Sequence, residues 1–221
     1  MNPEIIDIIK LIKSYDFVNE KIGIASNAIK LTPKITDELV KIGNIRIKVN
    51  VDSTTKEIYK ELTNRNSLER VEKNLNYFYE KNKKSGNSCK LLIRPTLNDK
   101  NRDQKDEFIR KWKDKFDIKF TEEMSWSGNV EGGKEVADIS KSIINVPCLQ
   151  LWGGIYIDNE GKVSMCCMDV MDHTQDFGDF NKENFDQIIT NQNRKKIQNI
   201  HKEHKWDMLP SLCKNCDLMH I

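Results

Sequence analysis

The stretch Ile45-Arg46-Ile47-Lys48-Val49-Asn50-Val51 alternates apolar and polar residues without interruption. A period of two is the pattern of a β-strand with unlike faces. Helical patterns lie on either side of it. Upstream, Pro33 to Leu39 reads as a short helix; downstream, Thr54-Thr55-Lys56-Glu57 has the form of a capping box that opens another. Ser67 begins a further helix with Leu68, Val71, Leu75 and Phe78 on one face. Further out, Asn2-Pro3 reads as a cap with proline in the first turn, and Ile5, Ile8, Ile9 and Ile12 recur at helical spacing. Lys21-Ile22-Gly23-Ile24-Ala25, ending at Ser26-Asn27, reads as a strand, and so does Cys89-Lys90-Leu91-Leu92-Ile93. Asp103 to Phe116 is a helix carrying Phe108, Ile109, Trp112 and Phe116, and Ile118-Lys119-Phe120 is a fourth strand. Strand alternating with helix predicts an α/β fold of parallel βα units.

The opening stretch carries a second message. Parallel strands covered on both faces read as continuous apolar runs, whereas Arg46, Lys48 and Asn50 take every second position here. One face is therefore expected to meet something polar, such as a barrel lumen that holds a ligand. An antiparallel strand wetted on one side would give the same pattern. Four strands cannot close a βα barrel, and the opening helix has no strand before it. The region is either a small open α/β domain or an incomplete parallel TIM-like partial barrel lacking its first strands.

Bulk properties narrow the function. The 221 residues carry 36 Lys+Arg against 34 Asp+Glu, a net charge of +2, with the signs interspersed. No extended basic tract argues for nucleic acid, and runs such as Lys81 to Lys84 and Lys111 to Lys115 read as solvated helix faces. Mean hydropathy is -0.65, no stretch approaches a membrane span, and the first residues are not the basic start of a signal peptide. The expected setting is the reducing cytoplasm, where cysteines serve metals or catalysis more often than disulfides.

The cysteines are unevenly placed. Cys89 lies in an apolar run and reads as a buried small hydrophobe; Cys148, Cys166, Cys167, Cys213 and Cys216 all fall in the last third. That asymmetry predicts a boundary near Ile143 to Pro147, giving domains 1–145 and 146–221. Cys213-Lys214-Asn215-Cys216 has the two-residue gap that lets both thiolates face one ion or cluster. Ile155-Tyr156-Ile157, Asp158 to Gly161 and Lys162-Val163-Ser164 read as a β-hairpin that brings Cys148 and Cys166 toward that pair. Four thiolates suit a tetrahedral zinc or a four-iron cluster; spacing alone does not choose between them, and zinc is the commoner metal for a cytosolic four-cysteine site. Cys167, beside Cys166, is left to packing. His173, His201 and His204 read as solvated, and Asn184 to Ile200 as one helix burying Phe185, Ile188, Ile189, Ile197 and Ile200.

Several of these segments together resemble a known family. Pro147-Cys148-Leu149-Gln150-Leu151-Trp152, Ile155 to Gly161, Cys166-Cys167-Met168-Asp169, Phe177-Gly178-Asp179-Phe180, the helix from Asn184 and Cys213 to Cys216 are similar to the auxiliary-cluster module, SPASM or twitch, of radical S-adenosylmethionine (SAM) enzymes. Upstream, Ser26-Asn27-Ala28 and Asn50-Val51-Asp52-Ser53 fall at strand ends where the family's partial barrel has Thr-Asn-Gly and Ser-x-Asp-Gly. The resemblance implies a metal set of Cys148, Cys166, Cys213 and Cys216 around one auxiliary 4Fe-4S cluster, with Cys167 a neighbour or alternative ligand. It implies cofactor contacts at Ser26, Asn27, Asp52 and Arg94, with Asn101 placed like Arg94 where the family has polar residues facing the cofactor, and Arg65 as a looser candidate for its carboxylate.

In intact members a 5′-deoxyadenosyl radical made from SAM abstracts hydrogen from a peptide, sugar or small-molecule substrate, with electrons from a donor such as ferredoxin or flavodoxin. The family's Cys-x3-Cys-x2-Cys loop and Gly-Gly-Glu-Pro motif have no counterpart among these residues. The expectation is a C-terminal portion of a longer enzyme, with Met1 internal to it and inactive alone. A zinc-stabilised binding module and an iron–sulfur accessory electron-transfer protein are the alternatives. Trp126 to Asn129 and Glu131 to Gly133 read as a linker, with a substrate loop as the functional alternative.

Overall fold

In the computed structural model, which describes residues 2–15, 22–124, 126, 147–169, 174–214 and 216, the alternating stretch becomes β2 (Ile45–Val49), an inner strand of a four-stranded sheet. Its neighbours are β1 (Ile22–Ser26) and β3 (Lys90–Ile93), and β5 (Asp117–Ile118) extends the sheet beyond β3. Every pairing in this sheet is parallel: Ile24 lies opposite Ile47, Ile47 opposite Leu91, and Ile93 opposite Ile118. That removes the antiparallel alternative for β2. A second parallel pair, β4 (Thr96–Leu97) with β6 (Thr121–Glu122), is too short to leave a periodic signal in the sequence.

The helix α1 (Ile5–Lys13) precedes β1, and α2 (Pro33–Ile42), α3 (Lys56–Thr63), α4 (Leu68–Lys84) and α5 (Lys105–Trp112) run between the strands. They bury one face of the sheet. Ile45, Ile47, Val49, Leu91 and Ile93 meet Leu39, Val71, Leu75, Phe78 and Phe108 in a single apolar cluster. The four-residue stripe expected on α4 is buried in full, as is Cys89. The other sheet face, with Gly23, Ala25, Arg46, Lys48 and Lys90, is exposed. An open parallel sheet with one helical layer is an arc of a (β/α) barrel.

Three local expectations are corrected. The helix predicted to open at a Thr54–Glu57 capping box starts one residue on, at an N-cap of Thr55 with no side-chain cap. The Thr54 hydroxyl instead donates to Glu107 Oε2 at 2.8 Å, and Gln104 Oε1 takes the Thr54 N–H at 3.0 Å. The opening helix begins at Ile5 rather than beside Asn2, whose Oδ1 accepts from the Glu4 N–H at 2.8 Å. The single helix expected over 184–200 is two, α7 (Phe185–Ile189) and α8 (Gln192–Lys202). Asn191 divides them: its Oδ1 accepts from the N–H groups of Asn193 and Arg194 and starts α8 afresh. Phe185 and Ile189 consequently face solvent, while Ile188, Ile197 and Ile200 stay buried.

By internal contacts the chain forms two units, 1–123 and 124–221. The boundary expected near Ile143 to Pro147 falls almost wholly outside the described residues, as do His173 and, apart from Trp126, the candidate loop after the fourth strand. The second unit holds α6 (Gln150–Gly153), the antiparallel hairpin β7 (Tyr156–Ile157) and β8 (Val163–Ser164), α7, α8 and α9 (Ser211–Lys214). Among the described residues no helix is long and apolar enough to cross a membrane.

Candidate metal centre and cofactor rim

The hairpin and the chain after it set out the cysteines. Asp158 Oδ1 accepts from the N–H groups of Glu160 and Lys162, closing the turn. Gly161 stands there at φ +87°, where a Cβ would come within 2.6 Å of the Asn181 amide. The far edge of β8 is then held by Val163 N–H to Gly178 O at 2.8 Å, which seats the fully buried Phe177 under the hairpin. Cys166 lies two residues beyond the end of β8. A turn closed by Asp169 N–H to Cys166 O (3.1 Å) reverses the chain. The Asp169 carboxylate, itself fully buried, accepts from Met165 N–H, Thr174 N–H and the Thr174 hydroxyl at 3.2, 2.8 and 2.7 Å. It clasps the loop that carries Cys166 and Cys167.

Cys148 precedes α6, whose C-terminal carbonyls would be orphaned inside the unit. Buried Arg194 on α8 supplies the donors: one guanidinium nitrogen reaches Leu151 O at 2.8 Å and Gly154 O at 3.1 Å, and Gln198 adds a bond to Leu151 O at 2.9 Å. Cys213 lies in α9, and Cys216 N–H donates to Cys213 O at 3.3 Å, turning the pair onto one side. Cys166, Cys213 and Cys216 are buried in one cluster with Met165, Met168, Leu209 and Leu212, and Cys148 and Cys167 are half-buried against it.

Electrostatics tie the thiols together. Burial pushes Cys166 up to about 12, with Cys167 and Cys216 adding to the rise. Cys213 is raised by burial and then by Cys166, Cys216 and Cys148, the other three members of the predicted set. Cys167 is raised by burial and by Cys148. Several thiolates in one apolar pocket would repel one another, so these groups keep their protons until a cationic centre replaces them. The donor set fits such a centre: all sulfur, with Cys166, Cys213 and Cys216 buried in one apolar cluster and Cys148 packed against it. As placed, no three His, Cys, Asp or Glu side chains among the described residues are gathered around a point as ligands of a single metal ion.

The candidate cofactor residues all lie at the C-terminal rim of the parallel sheet, the edge where such sheets bind ligands. They form two pairs. Ser26 ends β1 and accepts from Ala28 N–H at 3.0 Å, and Asn27 Oδ1 accepts from Ile29 N–H at 3.2 Å. Both line a cavity of about 530 Å³ together with Lys30 and Arg65. Asp52 and Arg94 form the second pair, outside that lining. Asp52 Oδ1 accepts from Thr96 N–H at 2.8 Å; burial raises its carboxyl above the usual range, and Arg94 opposes the rise. Arg94 N–H extends the ladder to Val49 O at 2.8 Å, and its buried Nε has no hydrogen-bond partner among the described residues. Asn101, expected like Arg94 to face the cofactor, is committed to the backbone: Nδ2 donates to Asp52 O and Thr96 O at 2.7 and 2.8 Å, and Oδ1 accepts from Asn98 N–H at 2.8 Å. It shapes the rim rather than facing a ligand.

Comparison with known families bears on both halves. Residues 148–217 match the SPASM family, described as an iron-sulfur cluster-binding domain, and residues 1–109 match the Radical SAM superfamily. The chain belongs to the radical SAM superfamily and carries a SPASM domain. A search of curated proteins finds no match. Radical SAM and SPASM proteins bind 4Fe-4S clusters and use SAM, so the zinc expected as the commoner metal of a four-cysteine site gives way to iron–sulfur. The arc of parallel strands is the partial TIM-like barrel of a radical SAM protein.

Sequence reasoning missed three residues of the SPASM unit. Arg194 shares a helix face with Ile197 and Ile200, a stripe position that signals burial. Asp169 gave no signal beyond its place after the cysteine pair. His201, expected to be solvated, is fully buried, with neither ring nitrogen hydrogen-bonded among the described residues. It sits edge-on between Trp152 and Trp206, at 6.4 and 5.8 Å between ring centres.

Proposed function

We propose that Cys148, Cys166, Cys213 and Cys216 hold one auxiliary 4Fe-4S cluster, and that Ser26, Asn27, Asp52 and Arg94 contact SAM, as parts of a radical SAM enzyme that modifies a peptide, sugar or small molecule. The observation that carries the first half is the packing of these cysteines: Cys166, Cys213 and Cys216 are buried in one apolar cluster with Cys148 half-buried against it, and burial raises the Cys213 thiol, with Cys166, Cys216 and Cys148 adding to the rise. A cluster supplies cationic charge spread over several irons, which offsets the repulsion among thiolates buried in one apolar cluster. Arg94, with its buried Nε unpartnered beside Asp52, supports the second half: a buried donor of that kind favours an acceptor brought by a ligand.

The 221 residues contain no Cys-x3-Cys-x2-Cys, and the chain on its own is proposed to bind the auxiliary cluster without cleaving SAM. Anaerobic reconstitution with iron and sulfide tests this. About four irons and four sulfides per chain are expected, a loss of most of them in Cys213→Ala or Cys166→Ala, no loss in Cys89→Ala, and no 5′-deoxyadenosine from added SAM. One zinc per chain without acid-labile sulfide would overturn the cluster assignment. For the rim, S-adenosylhomocysteine binding should weaken at least tenfold in Arg94→Ala.

A further inference from the structure

The exposed face of the parallel sheet carries charges in a fixed register. One row across it is Gly23, Arg46 and Lys90; the next is Ala25, Lys48, Leu92 and Asp117. Adjacent strands lie about 4.8 Å apart and same-face residues along a strand about 6.6 Å apart, so the Cα atoms of Arg46, Lys48 and Lys90 fall within about 8 Å of one another. All three side chains are exposed, and none has an acidic partner among the described residues. The one acid in these rows, Asp117, is two strands away from Lys48, which leaves the face at +2.

Three features set this apart from a solvated row of lysines. The sheet is parallel throughout, and parallel sheets are ordinarily covered on both faces, whereas here the helices cover one. Arg46 and Lys90 are direct cross-strand neighbours, a like-charge placement that costs stability unless an anion relieves it. Gly23 and Ala25 leave the β1 side of the face empty: a Cβ on Gly23 would meet nothing within 4 Å. The result is a face with small residues on its β1 side and three exposed cations in adjacent register positions on β2 and β3.

We infer that this sheet face binds a multiply charged anionic group, a phosphate or clustered carboxylates, on a small-molecule substrate. As the substrate of radical chemistry, the ligand rests on the function proposed above; as an anion on the sheet face it does not, and the experiment reads the second.

The full chain is titrated with pyrophosphate and, separately, with citrate, by calorimetry at low and moderate salt. Binding that weakens at least tenfold in Arg46→Ala and in Lys90→Gln, recovers in Arg46→Lys, and is unchanged in Lys34→Ala on α2 is the expected result. Whichever probe binds tighter identifies the acid group. Lys90→Gln should melt no lower than the parent, because it removes a like-charge neighbour, so lost binding cannot be ascribed to unfolding. No binding of either probe overturns the inference, as does equal weakening in Lys34→Ala. Displacement of the probe by S-adenosylhomocysteine also overturns it, since the anion would then occupy the cofactor site. If S-adenosylhomocysteine does not bind at all while the probe binds with the expected mutational pattern, the face inference stands and the cofactor assignment falls.

Discussion

His201 is a titratable side chain in an apolar setting, and burial lowers its pKa below the ordinary imidazole value. The unfolded chain takes up a proton near pH 6.5 while the folded chain resists it. Stability is therefore complete above about pH 6.5 and is lost as the pH falls from there toward the lower folded value. Melts followed through Trp152 and Trp206 fluorescence should show the midpoint dropping between pH 7.5 and 5.5, with the drop reduced in His201→Phe; an equal drop in both would refute it. Asp169 acts at the same scale. Its carboxylate satisfies three donors inside the cysteine loop, so Asp169→Ala should destabilise the unit by about 2–3 kcal/mol and lower reconstituted sulfide per chain. Retention of full sulfide would show that the loop needs no clasp.

At the scale of elements, the SPASM unit depends on connections rather than on long helices. Its two hairpin strands have two residues each, and the turn between them combines the positive φ of Gly161 with the close Asn181 amide. Gly161→Ala therefore meets both strain and a clash and should cost about 1–3 kcal/mol, read as a lower denaturation midpoint; a cost under 0.5 kcal/mol would mean the turn relaxes freely. Helix ends were less legible than helix middles for a related reason. Asn191 and Thr54 are both ordinary N-cap residues. Asn191 keeps its side chain on the N–H groups of Asn193 and Arg194, while Thr54 is drawn away by Glu107, 53 positions along the chain. That competition is long-range and leaves no trace in a local window.

At the scale of the whole molecule, each unit has its own core. In the barrel unit Phe78 is 1% exposed and packs on Phe116 with ring centres 6.4 Å apart. Phe78→Ala should cost about 3–5 kcal/mol, a large share of the roughly 5–15 kcal/mol typical of a domain, and urea melts should show it as a lower midpoint at nearly constant slope. A loss below 1 kcal/mol would mean the sheet does not depend on this layer. The parallel architecture was readable because strand and helix periods are local, and the SPASM motif was readable because cluster ligands need fixed spacings near each turn.

The sequence by itself determined the kinds of element, their order, the α4 core stripe and the cysteine pattern that marks the SPASM domain. Each of these follows from side-chain periodicity or from spacing along the chain. The tertiary structure alone decided that β2 runs parallel to both neighbours, that Arg46 and Lys90 stand side by side on an open face, that Asn101 serves the backbone, and that His201 is buried. Those facts depend on which surfaces meet, and a side chain's surroundings are set by distant segments whose approach no local pattern encodes.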